Sequence, residues 1–221
     1  MIIVVGHEKG GVGKSTLAIN IASRIQTDGA SVVLVDTDTS ASSSGWSTIR
    51  EHLGVTPALT VVQRSASPGA TVVDLAGRYD AVVCDMGAGD YQKLRDLTTI
   101  CDLLIAPTQV GQTDLESTVR LWQACRKLDP AHKKGHVPMV VAINRAPVAW
   151  NNTEATDARE ALQTACNGIV VLDAVLRDRK IWRDAGKQGR SIFEMPPRDS
   201  EKAVREFDEM LQEALRYQSK H

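Results

Sequence analysis

Eight residues near the N-terminus, Lys9-Gly10-Gly11-Val12-Gly13-Lys14-Ser15-Thr16, join a short apolar run to an amphipathic stretch. Residues 2–6 have the composition of a buried strand, and residues 14–27 carry apolar positions at helical spacing. Glycines at 10, 11 and 13 let the chain turn tightly, so that successive N–H groups point at one anion. The positive end of the following helix acts at the same place. In that setting Lys14 reaches the β- and γ-phosphates of a nucleotide, and the Ser15 hydroxyl is placed to ligate Mg²⁺. The backbone of Gly10, Gly11, Val12, Gly13 and Thr16 completes the cradle. A glycine-rich turn that merely joins strand to helix is the plainer alternative; G-K-S-T between a strand and a helix argues against it.

The rest of the chain repeats this alternation. Apolar, β-branched runs at 31–36, 81–85, 103–107, 137–143 and 169–172 read as strands buried on both sides, with a weaker one at 59–63. Helical patterns fall at 91–99, 113–128, 153–166, 179–186 and 200–217, and the serine-rich segment 40–47 reads as a loop. The expected architecture is α/β: a doubly wound, mostly parallel sheet with helices on both faces, the fold of P-loop nucleotide hydrolases. A length of 221 residues without repeat or linker predicts a single domain over 1–221. With 26 Lys+Arg against 27 Asp+Glu the net charge is −1, which excludes coating nucleic acid by bulk charge and leaves only a local patch. Aromatics are 4% of the chain, too few for a platform that stacks single-stranded bases. Cys84, Cys101, Cys125 and Cys166 are scattered, with no C-x-x-C, and read as reduced core thiols and not as a metal site. No apolar run reaches the ~18–20 residues of a membrane span, so a cytoplasmic protein is expected.

Two of the strands end in carboxylates: Asp36-Thr37-Asp38 and Asp85. The C-terminal edge of a parallel sheet is where such folds bind ligands. Phosphoryl transfer to water needs a held Mg²⁺ and an aimed water, and these carboxylates are the candidates; a turn or cap is the ordinary role of any one of them.

The phosphate loop departs from the usual G-x-x-x-x-G-K-[ST]: Glu8 stands where the first glycine would be, and Lys9 follows. K-G-G-V-G-K-S-T resembles the deviant Walker A box of the ParA/MinD family of ATPases, and the resemblance extends along most of the chain. It implies ATP and Mg²⁺ as cofactors. It implies that Lys9 crosses an ATP-sandwiched homodimer to the partner's nucleotide, where a cation supplied in trans makes charge neutralisation depend on dimerisation. By the same resemblance Lys9, Lys14 and Asp38 carry catalysis, Asp38 positioning the attacking water. Asp85 is the Walker B aspartate, Asp36 supports Mg²⁺ and Lys14 beside Ser15, and Asn144 reads the adenine edge, although a turn asparagine accounts for it equally well. Thr39-Ser40 replaces the family's usual Pro-Gln after D-x-D, which bears on the switch loop and the hydrolysis rate.

Arg177, Arg179, Lys180, Arg183, Lys187 and Arg190 crowd one late segment against Asp178 and Asp184. A solvated charged helix explains such a run; the resemblance makes it a surface for nonspecific double-stranded DNA, strengthened by dimerisation. The similarity is to small partition ATPases of the ParA type, without an operator-binding segment ahead of the phosphate loop. They imply a nucleoid-associated switch whose slow hydrolysis is stimulated by a ParB-like centromere-binding protein and which segregates plasmids or chromosomes. The rivals are a MinD-like membrane-cycling division regulator, disfavoured by the mixed charge of the last helix and the lack of a basic tail, and an ATPase that positions a protein cargo. No membrane contact is expected.

Overall fold

The computed structural model describes residues 1–89, 91–149 and 153–220. Seven strands form one sheet: β1 (Ile2–Val5), β2 (Val32–Asp36), β3 (Thr60–Gln63), β4 (Ala81–Asp85), β5 (Leu103–Thr108), β6 (Met139–Ala146) and β7 (Val171–Arg177). Their order is β3-β2-β4-β1-β5-β6-β7, and every neighbouring pair is parallel. The helices are α1 (Lys14–Thr27), α2 (Ser42–His52), α3 (Pro68–Ala76), α4 (Tyr91–Thr98), α5 (Gln112–Leu128), α6 (Glu154–Ala165), α7 (Lys180–Lys187) and α8 (Pro197–Gln218).

Alternation along the strands explains the layers. Ile3 and Val5, Val32 and Leu34, and Val140 and Ala142 face α1, α2, α7 and α8. Ile2 and Val4, Val33 and Val35, and Val141 and Ile143 face α3, α4, α5 and α6. A parallel strand covered on both sides must be apolar at every position, and β1, IIVV, is buried throughout. The doubly wound α/β architecture expected from the sequence is the one observed.

The chain leaves β1 toward β2 and β4 on one side and later returns on the other side as β5, so the order reverses at β1. A crevice opens at such a reversal, outside the carboxyl ends of the strands. Register then places Val5, Asp85 and Asp36 side by side at that edge.

Several local expectations are corrected. The serine-rich segment read as a loop is the first turns of α2, stabilised because its serines bond carboxylates of the sheet instead of their own backbone (below). α3 was not expected; Pro68 starts it at a position where a missing N–H costs nothing. β6 runs on to Ala146, so Asn144 and Arg145 belong to the strand end, and the strand expected at 169–172 is β7, which extends to Arg177. The edge of β7 is blunted from α8: Glu213 accepts from the Asp173 and Ala174 N–H groups (2.8 and 3.1 Å), and Glu206 from that of Arg177 (3.3 Å).

Candidate functional site: a nucleotide cavity at the switch point

Gly11 and Gly13 have left-handed backbones (φ 79° and 97°), which only glycine adopts without strain. At Gly13 the approach is also close: a Cβ there would lie 2.3 Å from the Asn144 amide nitrogen. The carbonyls of the loop are held from behind. Asn144 donates to Val12 O at 2.7 Å, and Gln109 and Arg145 donate to Gly11 O at 3.0 and 2.9 Å. No side chain caps α1, so the N–H groups of its first turn stay available to an anion. Val12 is buried and contributes backbone alone.

A cavity of about 530 Å³ opens in front of the loop. Lys14, Ser15 and Thr16 line it together with Asp38, Asn144, Arg145, Asp178, Trp182 and Arg183. Lys14 is buried and donates to Lys9 O at 2.8 Å. Burial lowers its pKa, while Asp85 and Asp38 act to raise it. Among the described residues no carboxylate pairs with its nitrogen, and a partly desolvated cation of this kind is poised for phosphate.

The carboxylates differ in employment. Asp36 is fully buried, and both its oxygens are engaged: Oδ1 by the Asp38 N–H (3.1 Å), Oδ2 by the N–H and hydroxyl of Ser44 (2.8 and 2.9 Å). Through Ser44, Asp36 anchors the first turn of α2. Asp85 accepts the Ser43 hydroxyl on Oδ2 at 2.7 Å, and its buried Oδ1 has no partner in hydrogen-bonding geometry among the described residues. Burial pushes Asp85 up to about 6, opposed by the Ser43 and Ser15 hydroxyls; Asp36 adds to the rise and Lys14 opposes it. Asp38 is half-buried with Oδ1 on the Ser40 N–H, and Gly87 packs on it so closely that a Cβ would stand 3.1 Å from its Cα.

Lys9 does not line the cavity of its own chain. Its ammonium stands on the N-terminal turn of α5, 2.8 Å from Asp114 and 2.9 Å from the Thr113 hydroxyl. Beneath it His7 is fully buried: Nδ1 accepts from the Lys9 N–H (3.0 Å), so Nε2 carries the proton toward Thr118 at 3.1 Å. Burial, assisted by Lys14, pushes His7 down to about 4.

The six late cations do not form one open surface. Arg179 is turned onto Glu206 (2.6 Å), and Arg177 donates to Pro147 O (2.7 Å). Arg190 donates to Glu194 O (3.3 Å), Lys180 and Arg183 pair with Asp184 and Asp178, and Lys187 is exposed. Desolvated guanidinium groups need acceptors, and α8 supplies Glu206.

Residues 3–192 match the CobQ/CobB/MinD/ParA nucleotide-binding domain. The chain belongs to that family. It is an ATP-binding ATPase of the ParA/MinD type. It is 26% identical to the maintenance of carboxysome distribution protein A of Halothiobacillus neapolitanus over 96% of this chain and 95% of that one. In fold it is similar to Cyanothece McdA in complex with ATP, with a TM-score of 0.74, 14% identity, and 97% and 95% of the two chains covered. It is also similar to a putative plasmid partition protein of Borrelia burgdorferi bound to AMPPNP, with a TM-score of 0.67, 19% identity, and 96% and 98% covered. Among the described residues no helix is long and apolar enough to cross a membrane.

Sequence reasoning missed Ser43, Ser44, His7, Asp114 and Trp182. The run of serines directly after D-x-D was the available signal for the first two; nothing in the pattern marks the others.

Proposed function

We propose that the chain is an ATP-driven homodimer switch that positions a cargo over DNA. The cargo we assign is a protein assembly, because the relatives at 26% and 25% identity are named for carboxysome distribution and match over 96% of this chain. Plasmid or chromosome segregation through a ParB-like partner, as the motif implies, uses the same switch with a different load.

The observation that carries the reading is Lys9. Its ammonium reaches past its own cavity onto the rim, where a second copy can receive it. In the dimer this cation meets the partner's phosphates, so that closure depends on a triphosphate. The loop amides and Lys14 hold the β- and γ-phosphates, and the base lies toward Asn144, Trp182 and Arg183. The donor set fits Mg²⁺: the Asp85 carboxyl is near enough to the Ser15 hydroxyl to be stabilised by it, and its buried Oδ1 is without a partner among the described residues. No group of three or more His, Cys, Asp or Glu among the described residues forms a closed protein cage, in keeping with an ion held mainly by phosphates and water. Ser15 would ligate it, Asp85 would hold one of its waters, and the ion would neutralise phosphate charge. Asp38 orients the water that attacks the γ-phosphorus, with ADP as the leaving group.

Contact with duplex DNA falls to the exposed cations of α7, Lys180, Arg183 and Lys187, doubled by dimerisation. Arg177, Arg179 and Arg190 are withdrawn from that surface by Glu206 and backbone carbonyls. The test is light scattering under saturating Mg²⁺ with ADP or a non-hydrolysable ATP analogue, with and without duplex DNA. A dimer with the analogue alone, then a larger DNA-bound species, supports the reading; a monomer with the analogue overturns it.

A further inference from the structure

Two neighbours at the end of β6 reach the same loop, which a regular strand forbids. Asn144 donates to Val12 O at 2.7 Å, and Arg145 Nη1 donates to Gly11 O at 2.9 Å. Successive side chains of a strand point to opposite faces. Here the alternation is broken. Arg145 has a left-handed backbone, φ 57°. From Ile143 to Ala146 β6 advances three residues while its neighbour advances two, from Val175 to Arg177. An extra residue of this kind bends a strand and re-aims a side chain. Glycine takes a positive φ freely; an arginine there is strained, and such strain lasts only where the surroundings over-determine it. Arg145 is exposed, so packing in the core does not account for the conformation.

The carbonyl it grips does account for it. A trans peptide unit carries its C=O and its N–H in opposite directions. Gly11 O is fixed by Arg145 and also by Gln109 Nε2, at 3.0 Å. The Val12 N–H is thereby turned away from both donors, and Asn144 on Val12 O does the same for the Gly13 N–H. Neither N–H meets a protein acceptor among the described residues, and successive N–H groups of a loop form an anion site. We infer that Arg145 and Gln109 are positioning residues for phosphate: they set the Gly11–Val12 peptide unit, so that the Val12 N–H is aimed before a nucleotide arrives.

All three anchors of the loop come from the two strands on the far side of the reversal at β1. Gln109 directly follows β5, and Asn144 and Arg145 belong to the end of β6. Orientation fixed in advance spares the ligand the ordering of the loop. This role differs from reading the base, because it serves any ligand with phosphate oxygens, whether or not adenine is attached. It also differs from a charge acting at a distance, because Gln109 performs it uncharged. It needs the nucleotide cavity and does not rest on the homodimer switch proposed above.

The test is calorimetric titration of the full chain with Mg²⁺ and either ADP or inorganic pyrophosphate, ligands that keep dimerisation out of the measurement. Arg145→Gly removes the guanidinium and relieves the left-handed strain. It should weaken ADP and pyrophosphate by the same factor, about ten-fold, while the melting temperature without nucleotide does not fall. Gln109→Ala, which removes no charge, should also weaken both ligands equally. Loss of ADP binding alone would assign Arg145 to the base and overturn the inference. Loss of affinity in step with a lower melting temperature would make residue 145 a support of the fold and equally overturn it. So would a wild-type chain that takes ADP and no pyrophosphate, unchanged affinity in Arg145→Gly, or unchanged affinity in Gln109→Ala, the last leaving Arg145 as a charge only. A chain that behaves as expected here but stays monomeric with the ATP analogue leaves this inference standing and sinks the switch.

Discussion

Lys9 and Asp114 face each other at 2.8 Å across the rim of the nucleotide cavity, the lysine 33% and the aspartate 10% exposed at their side chains. The Thr113 hydroxyl adds a second acceptor at 2.9 Å. Asp114 sits in the first turn of α5, where the helix dipole favours an anion. The lysine is thus satisfied within its own chain, and a partner's phosphates compete with Asp114 for it. A half-exposed pair of this kind is worth about 1 kcal/mol.

Replacing Asp114 by Asn removes the competing charge at constant shape. The analogue concentration at half-maximal dimerisation should fall about five-fold, which is the value of roughly 1 kcal/mol. Size-exclusion light scattering across a titration of analogue measures it. A midpoint that stays put or rises means that Lys9 is not retained by this contact before it meets a second copy.

Lys14 and Asp38 separate binding from turnover. Lys14→Ala takes the buried cation out of the phosphate end, and nucleotide binding by calorimetry should vanish while circular dichroism stays native. Asp38→Ala leaves the loop, Lys14 and Asp85 in place. It should bind ATP and dimerise normally and lose about 100-fold or more in single-turnover hydrolysis, the usual scale for a water-positioning group. Full turnover in that variant would assign the water to another residue.

How much of this was readable follows from the range of the contacts. The phosphate loop, Lys14, Asp38 and Asp85 were legible because strand, turn and helix signals lie within a few residues of each. α2 was not, since serines favour turns and compete with the helix backbone; they are helical here because Ser44 and Ser43 find Asp36 and Asp85 at separations of 8 and 42 residues. The basic segment was only partly legible for the same reason. Arg179 and Glu206 are 27 residues apart, and no local pattern announces that the cation is spent inside the fold. Arg50 and Glu194, 144 residues apart, are beyond any local reading.

His7 gives the pH dependence of stability. Its folded pKa, about 4, lies below the ordinary 6.5, so the fold favours the neutral ring. The unfolded chain takes up the proton first. Stability from this group is therefore complete above pH 6.5 and lost as the pH falls from 6.5 to about 4, by on the order of 3 kcal/mol. His7→Asn should flatten that part of the curve of melting temperature against pH, each protein referenced to its own value at neutral pH. Parallel curves for the two proteins would mean that His7 protonates as readily in the fold as in water.

Gly189 tests the seam between α2 and the turn after α7. Its φ is 59°, and a Cβ there would lie 2.5 Å from the Arg50 backbone nitrogen and 2.6 Å from its Cα. Both atoms belong to a helix whose other end holds Asp85, so the clash is not relieved by turning a side chain. Alanine at 189 combines left-handed strain with forced separation of two packed backbones, and a loss of about 3 kcal/mol or more is expected. For a chain of this length that is a fall of roughly 6–12 °C in Tm. Gly186→Ala is the control, because nothing lies within 4 Å of its Cβ position, and alanine in the last turn of a helix is neutral or mildly stabilising. If the α2 anchorage governs Asp85, Gly189→Ala should also slow ATP turnover at temperatures where the protein is still folded. Equal melting temperatures for the two variants would mean that α2 and the turn at 189 separate without cost, and the mechanical link between them would be lost.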